Sequence, residues 1–141
     1  MTASKLEALF EVQLTGAGIG FKREYPFGEC LGRKWRADFL ASGRLHYTAE
    51  REVLVEIQGT GPQGRHGSYG HHHSDCEKFA TAAALGWRVL PLSAKMVRDG
   101  SGLKLVEAAL GLRALEPYTR KAPRRKKGTL PARVRKAAGL R

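Results

Sequence analysis

Asparagine is absent from the 141 residues, cysteine occurs only twice, and no acidic residue follows Glu116. Two cysteines, Cys30 and Cys76, are too few for a disulfide framework, and they do not have the Cys-x-x-Cys spacing of a zinc site. Reduced thiols are the expectation. No apolar run approaches the roughly 18 residues that a membrane span needs. The opening MTASKLEALFEV has no basic-then-apolar leader layout. Together these absences predict a cytoplasmic protein with no membrane partner.

The missing acids in the tail shape the charge. The net charge is +12, yet residues 1–116 hold 15 Lys and Arg against 13 Asp and Glu, whereas residues 117–141 hold 10 basic residues and none that is acidic. With 42% hydrophobic residues the chain can bury a proper core. The division predicts one globular domain over residues 1–115 and a basic tail over 116–141, disordered until bound. Arg120, Lys121, Arg124, Arg125, Lys126 and Lys127 in that tail suit a polyanion, and DNA or RNA is the commonest one.

Hydrophobic periodicity supplies the elements. SKLEALFEVQLT (4–15) reads as an amphipathic helix with Leu6, Leu9, Phe10 and Leu14 in one stripe, and Ser4 with Glu7 has capping-box spacing. FKREYPF (21–27) is a short strand and GECLGR a loop. WRADFLA (35–41) and EVLVEIQG (52–59) alternate with strand period. TGPQGRHGSYGHHHS (60–74) is glycine-rich and predicts an irregular loop. Residues 75–86 follow as a helix, then a strand over 86–93 whose Pro91 suits an edge. A turn at Asp99-Gly100 precedes a helix from about Leu103. The order predicts an α/β or α+β fold, a central mixed β-sheet flanked by helices.

The chemistry starts from Glu56, a carboxylate inside the apolar run VLVEIQ. Period-two alternation puts Glu56 and Gln58 on one face of their strand. Asp38 lies mid-strand in a segment close enough to be the antiparallel neighbour. Two carboxylates crowded there would repel, raising one pKa or demanding a cation. A hard cation with oxygen ligands, Mg²⁺ with Mn²⁺ as its substitute, removes the conflict. Beside a basic tail, that pair suggests metal-assisted phosphodiester hydrolysis.

The series WRADFL, VLVEIQG, GRH, DCEKF and GWRVLPL, in that order, resembles the PD-(D/E)XK nuclease superfamily, and within it phage-encoded archaeal-type Holliday-junction resolvases. The resemblance covers about residues 4–111. It implies a restriction-endonuclease-like mixed sheet, a homodimer that cleaves four-way DNA junctions, and Mg²⁺ as cofactor. It also implies the host cytoplasm as location if the chain is phage-encoded. By position, Asp38 and Glu56 match the two acidic metal ligands, the Ile57 carbonyl a further ligand, and Glu7 the first-helix glutamate of the site.

Gln58 departs from that pattern, because the usual occupant is a lysine that orients the attacking water. An amide positions water but carries no charge. Lys78, on the following helix, is the candidate to supply it. Arg65 and His66 in the glycine-rich loop are candidate DNA contacts, while Asp75 and Glu77 either join the acidic site or favour their helix N-terminus. A repair or restriction-like endonuclease is the alternative enzyme. The alternative of another class is a catalytically inactive basic nucleic-acid-binding protein.

Overall fold

A computed structural model describes residues 5–44, 51–58 and 69–117. Its order is helix α1 (Lys5–Gly16), strand β1 (Ile19–Pro26), a 3-10 turn (Glu29–Leu31), β2 (Arg36–Arg44), β3 (Val53–Gln58), α2 (Tyr69–Ala84), β4 (Val89–Ser93), α3 (Ala94–Arg98) and α4 (Ser101–Ala109). The four strands form one sheet in the order β1-β2-β3-β4. The first two pairings are antiparallel, and β3 runs parallel to β4, so α2 is the crossover between them. The sheet is mixed and the fold is α/β, as the sequence predicts. Pro91 lies on β4, an edge strand, where its missing N–H costs least.

The alternation of β2 and β3 divides the interior. Phe39, Ala41, Val53 and Val55 face Phe10 and Leu14 of α1, Val97 of α3 and Val106 of α4 in the larger cluster. Leu40 and Leu54 face the other way and pack with Phe27, Ala37 and Ala82 of α2, with Trp35 and Trp87 at the margin. Both faces of the sheet are therefore covered. Phe39 is fully buried, edge-on to Phe10 at 5.6 Å and to Phe21 at 5.7 Å.

Three local expectations change. Helix α2 begins at Tyr69, so residues 69–74, expected in the glycine-rich loop, are helical. The histidines are adequate helix formers, and one glycine, Gly70, is not enough to stop the helix. Leu9, expected in the buried stripe of α1, is 40% exposed. Gln13 is turned inward instead, and its Nε2 donates to the Val97 carbonyl at 2.7 Å. Finally, the segment after β4 holds two helices rather than one. Gly100 adopts φ +77°, which an L side chain resists, and this breaks α3 from α4. Among the described residues no helix is long and apolar enough to cross a membrane. Arg65, His66 and the tail cations Arg120, Lys121, Arg124, Arg125, Lys126 and Lys127 lie outside the described residues, as does Ser4.

Candidate active site: a carboxylate cluster at one end of the sheet

Pairing of Phe39 with Val55 sets the register that brings position 38 opposite position 56. Directly opposed residues in an antiparallel pair project to the same face, so Asp38 and Glu56 meet. Their carboxylates interlock with each other's backbone. The Ile57 N–H donates to Asp38 Oδ2 at 2.6 Å, and the Asp38 N–H donates to Glu56 Oε2 at 3.4 Å. The sequence singled out Ile57 for its carbonyl; in the structure its N–H holds Asp38.

Helix α2 brings Lys78 to this pair. Its Nζ donates to Glu56 Oε1, and both side chains are largely withdrawn from water, 16% and 14% exposed. A carboxylate at that depth needs a partner, and the ammonium is one. The question posed by Glu56 inside an apolar strand thus has its local answer in Lys78. Gln58 ends β3, opposite Ser93 of β4.

With Lys78 on Glu56, other acids crowd Asp38. Glu7 of α1, Glu24 of β1 and Asp38 bring carboxylate oxygens within 4.8 Å of one another. Arg23 clamps the outer side, its Nη2 donating to Glu7 and its Nη1 to Glu11, each at 2.9 Å. The same guanidinium lies 5.5 Å from the centroid of the Phe39 ring. Glu24 is missing from the sequence reading. Its neighbours Arg23 and Tyr25 pair with Phe39 and Ala37, so it falls across from Asp38. Its φ of +48° is in the left-handed region, which alternation along a strand does not anticipate. Asp75 and Glu77 stay apart from the cluster. Asp75 is exposed, and Glu77 pairs with Arg33 at 3.0 Å.

Asp38 registers this environment. Burial, first, and then the charges of Glu56 and Glu7 push its carboxyl up to about 6, against the opposing pull of the Ile57 N–H and the Lys78 ammonium. Among the described residues, five carboxylates (Glu7, Glu11, Glu24, Asp38 and Glu56) share two cations, Arg23 and Lys78. The donors are all oxygen and their local charge is in deficit of cations, a set that fits Mg²⁺ or Mn²⁺ and not a soft metal. Asp38, Glu7 and Glu24 are the residues that would hold such an ion, with Glu56 free to join if Lys78 releases an oxygen.

Compared with protein-family models, curated proteins and solved structures, the chain matches none.

Proposed function

We propose that the chain is a metal-dependent DNA endonuclease, a phosphodiester hydrolase, acting as a homodimer on four-way junctions. The observation that carries the hydrolase is the meeting of Asp38, Glu56 and Lys78 from three elements beside Glu7 and Glu24. The junction and the dimer rest on the sequence resemblance.

A divalent cation, when bound, polarises a phosphoryl oxygen and lowers the pKa of a coordinated water. The chain's own residues do the rest. Asp38 and its acidic neighbours would hold the ion, and the Ile57 N–H fixes which way the Asp38 carboxylate turns. Glu56 holds the Lys78 ammonium by an ion pair, a cation suited to offset charge that grows on the phosphoryl group. The Gln58 amide, on the same strand face as Glu56, is suited to accept from and donate to the attacking water. In this reading the lysine expected at position 58 is supplied by α2.

The test is cleavage of an end-labelled four-way junction beside a linear duplex of the same arms, with Mg²⁺, with EDTA and with Asp38→Ala. Symmetrical Mg²⁺-dependent nicks in the junction alone, lost in the variant, are expected. Cutting of both substrates would favour a repair or restriction-like nuclease. Binding without cutting would mark an inactive nucleic-acid-binding protein.

A further inference from the structure

The β1–β2 connection carries charge that the carboxylate site does not use. Pro26, Glu29, Gly32, Arg33, Lys34 and Arg36 line a cavity of about 500 Å³. Three cations face one carboxylate there, the reverse of the balance around Asp38.

The connection is built rather than slack. The Gly28 carbonyl accepts from both the Leu31 and the Arg33 N–H, each at 3.0 Å, and the Phe27 N–H donates to the Trp35 carbonyl at 3.3 Å. A Cβ on Gly28 would lie 3.0 Å from the Arg33 carbonyl oxygen and 3.2 Å from the Trp35 Cβ, so any other residue would push the two limbs apart by a few tenths of an ångström. Trp35 stacks on Phe27, and the Arg33 guanidinium sits 4.8 Å over Trp35 while it pairs with Glu77 of α2. Arg33 is thereby immobilised. Lys34 and Arg36 are exposed, and among the described residues neither has an ion-pair partner.

Position matters as much as charge. Arg36 and Asp38 are two residues apart on β2, so they share a face and lie about 7 Å apart along the strand. That is about two axial steps of one DNA strand at about 3.4 Å each. A backbone with a phosphate at Asp38 would bring the phosphate two steps along to Arg36, with Lys34 beyond it in the connection that precedes β2. An acidic protein surface offers no such regular repeat.

We propose that the β1–β2 connection is a phosphodiester-backbone contact, in which Lys34 and Arg36 take phosphates on one side of the one at Asp38. The proposal rests on the nuclease reading for its direction along the strand, and adds to the tail a contact surface within the globular domain.

The experiment is binding of a labelled duplex DNA to the full chain in EDTA across a salt series. Wild type is compared with Lys34→Gln/Arg36→Gln and with a control of equal charge loss, Lys95→Gln/Lys104→Gln, on exposed positions of α3 and α4. Loss of two phosphate contacts makes the log–log salt slope shallower by about 1.8. The control keeps the wild-type slope, and Lys34→Arg/Arg36→Lys restores it. Equal slopes for the double variant and wild type overturn the proposal, as does an equal loss in the control. Cleavage by wild type with Mg²⁺ is scored separately. Cutting with an unchanged slope would remove this contact and leave the nuclease standing; a shallower slope without any cutting would keep the contact and remove the nuclease.

Discussion

Replacing Asp38 with asparagine removes an ionisable group whose ionisation the fold resists, so Asp38→Asn will stabilise the metal-free protein at neutral pH. The carboxyl titrates at 3.8 in an open chain and at about 6 in the folded one. Moving a pKa that far corresponds to about 3 kcal/mol at full ionisation. Asp38 is only half-buried, and solvent screening reduces this to about 1–2 kcal/mol. Below pH 3.8 both folded and unfolded chains hold the proton, and the native state has its full stability. Between 3.8 and about 6 the unfolded chain releases a proton that the folded one keeps, so stability falls as pH rises; above about 6 the loss is complete. Asparagine has no proton to lose, and its amide oxygen still accepts from the Ile57 N–H. Urea titrations in EDTA at several pH values will therefore show a gap that is absent at low pH and opens to about 1–2 kcal/mol above pH 6. A gap independent of pH, or a variant less stable than wild type at neutral pH, would refute the reasoning.

Two further outcomes follow from other parts of the site and core. Lys78→Met leaves the Glu56 carboxylate largely buried without its ammonium, which costs about 1–3 kcal/mol of stability by urea titration. It also lowers the rate of DNA cleavage about 100-fold or more, and an unchanged rate would remove Lys78 from the chemistry. Phe39→Ala empties the space between Phe10 and Phe21 and lowers stability by about 3–5 kcal/mol, read as a shift of the urea midpoint.

The meeting of Asp38 with Glu56 was legible because period-two alternation and an antiparallel hairpin leave few other registers, and the observed pairing of Phe39 with Val55 is one that alternation allows. Lys78 was legible as a residue of the next helix, and its contact with Glu56 follows from α2 covering that face of the sheet. Glu24 was not legible. A residue in β1 enters the cluster through a left-handed backbone angle, and hydrophobic patterning carries no signal for one dihedral. The start of α2 was hidden for a related reason: a glycine and a run of histidines give hydrophobic patterning nothing to mark the helix start at Tyr69. Leu9 and Gln13 exchange their expected roles because the stripe on α1 is fixed by the groove it meets, which its own sequence does not contain.

The sheet parts two unequal cores: among the described residues eleven buried side chains lie on the side of α1, α3 and α4, and five on the side of α2. Cooperative unfolding units follow such inequality, and the element with fewer buried contacts opens at lower free energy than the whole. Amide exchange should therefore release α2 before it releases β2 and β3. Lys78 travels with that layer, while Asp38, Glu24, Glu56 and Glu7 stay with the thicker one. Each brief opening of α2 would strip the carboxylates of a cation and leave their geometry standing. The occupancy of the lysine position is thus a population, set by the thinner core and adjustable by residues such as Ala82, one helical turn from Lys78 and buried in that core.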